Sequence, residues 1–347
     1  MRNGWPTILA LCLSAILGGC GPGALVPSVA EPSSSPGSSA DFRAKASLGA
    51  ALAALRGQSL VAVELDQRHQ PAEALLAVVR ARDYLQTIED LAGDNAQPEF
   101  VRLGRAIHDA ADRLQGPNRD GTLDEALART GRATLDIESE FVGDTSASPA
   151  YRASVVSHLV YGAAAYYEVA VLPDPIDQEG YREAYGSLRE AQNIYEGLAG
   201  VVEEQINDSA RAADILLAAM FSAMPSSDPP PDLPPPDEVA AAAYVLGVLL
   251  TDDHGAVPLP PRNRLAYIPP LLEEALGAYE SGEAGVADVL VQKVRASLCC
   301  PSTSAGEALE AELARLSNAI RSGAADSDIV ALVEECSALA ADAAESR

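Results

Sequence analysis

From residue 41 onward, apolar residues recur at spacings of three and four along nearly the whole chain. Between residues 71 and 91, Leu75, Val78, Leu85, Ile88 and Leu91 fall on one helical face. Pro71 suits the first turn of that helix and Gly93 its stop. The same pattern predicts helices over 41–56, 59–67, 98–114, 122–141, 149–171, 178–199 and 201–224. After a proline-rich interruption it predicts 238–250, 269–281, 283–300, 304–322 and 326–346, punctuated by Gly282, Pro301 and Gly323. No alternating apolar and polar run is bounded by hairpin turns, so an all-α fold follows, an irregular helical bundle or helix-hairpin array. Segments 74–91 and 183–201 share an Arg- and Tyr-bearing pattern around Val79-Arg80 and Leu188-Arg189. Solenoids use such helix pairs, but the spacing here is not constant, which favours the irregular array.

Pro225 to Pro236 reads PSSDPPPDLPPP. Prolines cannot donate regular backbone hydrogen bonds, and this run should sit extended as polyproline II. It divides a larger helical domain, 41–224, from a smaller C-terminal helical bundle, 238–347, with 225–237 as linker. Residues 20–40, rich in Gly, Pro, Ser and Ala, read as a flexible tether whose r.m.s. span is roughly 25 Å.

The first twenty residues carry an address. Arg2 is their lone charge, Ile8 to Leu17 are apolar, and Leu17-Gly18-Gly19-Cys20 closes the run. That is the layout of a secretory signal, 1–19, too short to span a membrane. The tetrapeptide resembles the lipobox of bacterial lipoproteins. The resemblance implies cleavage before Cys20 and a covalent lipid such as palmitate on its thiol. It places the chain outside the cytoplasm, anchored to the cell membrane or outer membrane on the periplasmic or cell-surface side. Gly21, rather than Asp, after the lipidated Cys is similar to the outer-membrane-sorted class.

Charge then narrows the partners. With 50 acidic and 24 basic residues the formal charge is −26, and nucleic acid as a partner is excluded for want of a basic footprint. Attachment to a membrane must come through the lipid, since an anionic surface repels such a chain. Hydrophobic residues make up 48% but aromatic ones only 5%, so the core must be largely Ala, Leu and Val in closely packed helices.

Four histidines are present, and none lies in a zincin, haem-attachment or zinc-finger spacing. His108 and Asp112 share a helical face with Arg105, the pattern of an ion-paired surface. Tyrosines outnumber phenylalanines eleven to four and concentrate between Tyr151 and Tyr195. If the helices over 149–171 and 178–199 pack together, His158, Tyr161, Glu168 and Tyr185 form the candidate binding groove, polar tips on apolar rings. Residues 116–127 are similar to a calcium loop, but Gly116 and Leu127 stand where acids should ligate. A cap by Asp120 or Thr122 with Glu125 fits better. Cys300 and Cys336 are the candidate disulfide, with Cys299 an alternative partner. No nucleophile elbow, phosphate loop or dinucleotide fingerprint is present, and a non-enzymatic role is the expectation.

The C-terminal eighty residues add a second resemblance. Leu272 to Ala284, Leu313 to Ala324 and Ile329 to Val333 form Ala-rich helical stretches with Gly stops. They are similar to the helical extracytoplasmic segment found beside bacterial iron permeases, which implies a role near metal uptake. The permease's Arg-Glu-x-x-Glu motifs are absent, and Leu298, Cys299 and Cys300 stand where aromatic and acidic residues would be expected, so no iron ligand carries over. The expectation is a cell-envelope lipoprotein acting as a helical binding or scaffold protein with an envelope protein partner. An accessory for iron capture, with a bound metal ion, is the alternative.

Overall fold

The computed structural model describes residues 36–92, 97–115, 123–172, 175–199, 207–258, 268–297 and 304–345. The signal, Cys20, most of the tether, the loop 116–122 and Cys299 and Cys300 lie outside them. Among the described residues twelve α-helices and one 3-10 turn account for the regular structure, and no strand occurs. The chain is therefore all-α.

The helices come as six consecutive neighbouring pairs. These are α1 (Pro36–Gln67) with α2 (Pro71–Ala92), α3 (Gln97–Gln115) with α4 (Leu123–Phe141), and α5 (Pro149–Val171) with α6 (Gln178–Ala199). Then follow α7 (Asn207–Ala223) with α8 (Pro236–His254), α9 (Ile268–Glu280) with α10 (Ala284–Ser297), and α11 (Ser304–Ser322) with α12 (Asp326–Glu345). In space the α3/α4 pair lies outside α1/α2, and the remaining pairs continue from α1 in chain order. Helix α1 packs on α4, α5 and α6, and α5 is also covered by α8. These two helices are therefore apolar around much of their circumference, as the centre of an array requires. The stretch Ala40–Gln67 is apolar and long enough to cross a membrane, but 83% of its most apolar window is buried in the protein. It is a core helix here.

Three differences from the sequence pattern have physical causes. Helix α1 runs unbroken through 56–59, where the pattern stops one helix and starts another, and it begins at Pro36, so the last residues of the predicted tether are helical. Its Gly57 lies against Gly186 of α6. A Cβ at Gly57 would stand 2.3 Å from the Gly186 carbonyl oxygen, so the backbones meet where neither residue has a side chain. Helix α8 extends beyond its predicted end to His254 and stops at Gly255, whose φ of 70° is left-handed. The N–H groups of Gly255 and Ala256 there return to the carbonyls of Thr251 and Leu250.

The third difference concerns the proline-rich run. Expected as a spacer over 225–237, it is instead strapped onto α5 and α6. The run keeps its accepting carbonyls even where proline removes the N–H, and a tyrosine and an arginine reach two of them. The Tyr167 hydroxyl donates to Pro234 O at 2.8 Å and Arg182 Nε to Ser227 O at 3.3 Å, while Tyr181 donates to Ala223 O at 3.2 Å at the end of α7, just before the run. Pro236 already opens α8, which packs along α5, and one apolar core runs from Leu48 to Ala340. The expected boundary between 41–224 and 238–347 thus falls within a continuous core.

Candidate functional site

The predicted groove is divided between two sides of α5 and α6. His158 donates from Nδ1 to the Ser154 carbonyl at 2.7 Å, and burial lowers its pKa, so the neutral ring is favoured. Tyr161 meets Tyr244 of α8 edge to face, with ring centroids 6.2 Å apart, and its ring lies against Gly247. Tyr185 points to α1 instead, donating to Glu64 Oε2 at 3.0 Å. Because α8 covers one side of the α5/α6 pair and α1 the other, Tyr161 and Tyr185 cannot line one groove. Glu168 is half-buried near the end of α5. Cys336 is fully buried on α12, with its thiol pushed up to about 12 by burial. It has no disulfide partner among the described residues, and the expected partner Cys300 lies outside them. His108 pairs with Asp112 at 3.4 Å on an exposed surface. Among the described residues no three His, Cys, Asp or Glu side chains gather as metal ligands would.

Helix α6 carries most of the buried polar chemistry. Every residue from Gly180 to Leu188 is buried, including Arg182 and Glu183, and Glu190 follows. Toward α2, the Tyr84 hydroxyl donates to Glu183 Oε1 at 2.8 Å and lies 3.4 Å from the Tyr166 hydroxyl. One turn away Arg80 bonds Glu179 at 3.1 Å. Burial raises the Glu183 pKa, although Tyr84 and Arg80 pull against it. Toward the proline strap, Glu64 accepts Ser227 Oγ at 3.1 Å and pairs with Arg68, and Asp228 bridges Arg68 and Arg182.

The third cluster borders open space. On α1, Arg56 donates from Nε to Glu190 Oε1 and from Nη1 to Glu138 Oε2 at 3.3 Å. The Tyr151 hydroxyl donates to Glu138 Oε1 at 2.9 Å, and Asn193 Nδ2 to Glu190 Oε2 at 3.3 Å. Glu190 and Glu138 are only 9% and 15% exposed, so the three charges are held by one another and not by water. Burial alone would lower the Arg56 pKa. The two carboxylates outweigh it, and the guanidinium stays charged. Gly49 makes room for the tyrosine, since a Cβ there would overlap the Tyr151 hydroxyl at 2.0 Å.

Above this cluster is a cavity of about 310 Å³, walled by Arg56, α4, the turn Gly143–Ala147, α5 and α6. Leu135, Val155 and Ile194 supply apolar wall; Glu138, Ser139, Ser146, Arg152 and Asn193 supply polar groups. The site contains none of His158, Tyr161, Glu168 and Tyr185; of the tyrosine cluster it takes its first member, Tyr151. Its sequence signal was a charged residue at 56 within the apolar run of α1, where a buried ion pair is the ready explanation.

The fold thus defines an all-α array of helix pairs with a polar cavity at the junction of α1, α4, α5 and α6. Comparison with protein-family models, with curated proteins and with solved structures gives no match.

Proposed function

We propose that this chain is a cell-envelope lipoprotein, anchored through Cys20 and acting outside the cytoplasm as a helical binding protein. The observation that carries the binding reading is the cavity beside Arg56. Its size is at the lower end of ligand pockets, about 300–1,000 Å³. It combines an aliphatic wall with a few polar groups, and those groups are fixed by hydrogen bonds behind them. Such second-layer support holds a binding group in place before the ligand arrives. The anchor rests on Leu17-Gly18-Gly19-Cys20 and on the short apolar run before it.

Two measurements test the reading on the full chain. Cys20→Ser should move the protein out of the membrane fraction, and unchanged fractionation would refute the anchor. For the cavity, a small-molecule extract of the envelope should raise the thermal midpoint of the wild type through linkage. Ser139→Trp, which puts a large ring on an exposed lining residue that takes no part in the Arg56 hub, should abolish that rise. No rise, or an equal rise in both proteins, refutes binding at this site.

A further inference from the structure

Two guanidinium groups line the cavity, in a chain whose acids outnumber its bases by 26. Arg56 uses Nε and Nη1 on its two glutamates, which leaves Nη2 without a partner among the described residues. Arg152 is half-buried and makes no ion pair among the described residues; only its Nε is engaged, toward the Ser146 carbonyl at 3.4 Å. Its two terminal nitrogens are uncommitted donors. A half-buried arginine that pairs with none of the described carboxylates is available for an acidic group from outside. A guanidinium fork matches the planar geometry of a carboxylate.

Charge balance limits what else that ligand carries. Arg56 and Arg152 are offset by Glu138 and Glu190, so the four side chains together are neutral. A simple anion would leave one uncompensated negative charge in a partly buried place, which is costly. A ligand that also brings an ammonium group leaves the balance unchanged. Each Glu138 oxygen accepts one hydrogen bond and retains a lone pair for another. The rest of the wall is aliphatic, Leu135, Val155 and Ile194, and Leu135 is 55% exposed. Among the described residues no aromatic face other than Tyr151 lines the site, so the stacking surface that flat rings favour is scarce.

We infer that the cavity binds a small zwitterion of the α-amino-acid class with an aliphatic side chain, its carboxylate on Arg152 and Arg56 Nη2, its ammonium on Glu138. This rests on the binding reading above and assigns the ligand class of that site. Burial of the side chain would cover the exposed face of Leu135, a favourable transfer from water.

The test is calorimetric titration of the full chain with three probes: leucine, leucinamide, which lacks the carboxylate, and 4-methylpentanoate, which lacks the ammonium. Leucine should bind, and the two analogues about tenfold or more weakly, because each leaves one side of the site without its charged partner. Arg152→Gln should weaken leucine by a similar factor while the unliganded thermal midpoint stays near the wild type, since the Arg152 side chain makes a single long hydrogen bond, to the Ser146 carbonyl, among the described residues. Failure of leucine to bind, equal binding of all three probes, or an unchanged affinity in Arg152→Gln would overturn the assignment. If the envelope extract still raises the wild-type midpoint while leucine has no effect, the ligand class fails and the binding site stands.

Discussion

The crossing of α1 and α6 gives the sharpest test of the fold, because two glycines with the same local preference should respond to alanine with opposite signs. In a helix interior alanine is favoured over glycine by about 0.8–1.0 kcal/mol. At Gly131 of α4 nothing lies within 4 Å of the added Cβ, so Gly131→Ala should stabilise the protein by about that amount. At Gly57 the Cβ would stand 2.3 Å from the Gly186 carbonyl oxygen and 2.6 Å from its carbon. Both are backbone atoms, and neither can rotate away. Ordinary carbon contacts are about 3.5 Å or more, so α1 and α6 must separate by about 1 Å. Overpacking of a close-packed core costs about 1–3 kcal/mol. A rigid backbone contact belongs at the upper end of that range, and subtracting the helical gain leaves a net loss of about 2 kcal/mol. Urea unfolding followed by far-ultraviolet circular dichroism at constant slope measures both variants. A Gly57→Ala protein as stable as the wild type would show that the two backbones do not meet there. A Gly131→Ala protein less stable than the wild type would refute the open space assigned to α4.

Two further outcomes follow from the polar clusters. Arg56→Met leaves Glu138 and Glu190 buried without their shared cation and should cost about 3–5 kcal/mol in denaturant unfolding, whereas a loss below about 1 kcal/mol would mean that water screens the hub. Burial raises the folded-state pKa of Glu183, so the native protein takes up this proton at higher pH than the unfolded chain, and stability gains as pH falls through that raised value. Compared with Glu183→Gln, which cannot titrate, the wild type should therefore become relatively more stable as pH falls from neutrality toward the ordinary carboxylate range; parallel melts with a constant difference as pH is lowered would contradict the raised pKa.

Much of the helical content was legible from periodicity alone. The ends of α5, α6 and α11 coincide with the sequence pattern because Pro149, Gln178 and Ser304 begin apolar repeats after clear breaks. The pattern misplaced the break in α1 because a glycine inside a helix and a glycine ending one look alike in sequence; only the presence of Gly186 across the interface distinguishes them. The proline run was correctly read as non-helical before Pro236 but misjudged as free of the core. Two of its carbonyls, at Pro234 and Ser227, accept from Tyr167 and Arg182, which lie 67 and 45 residues away in sequence.

The candidate site shows the same division. Sequence identified tyrosines with polar tips between Tyr151 and Tyr195, and several of them do make buried or part-buried hydrogen bonds: Tyr151, Tyr181 and Tyr185 each reach a carboxylate or carbonyl, as does Tyr84 outside that cluster. It could not say which side of the α5/α6 pair each one faces, because that depends on which helices cover the pair.

By itself, then, the sequence determined an all-α chain with short aliphatic packing, a strong acidic excess and a lipobox-like start, since these depend on composition and on spacing within one helix. Only the tertiary structure decided that Arg56, Glu138, Tyr151 and Glu190 share one hub, that Arg152 lines a cavity with no ion pair among the described residues, and that the apolar α1 is a core helix. Those facts arise from contacts between segments as much as 134 residues apart, and hydrophobic periodicity holds no information about which faces will meet.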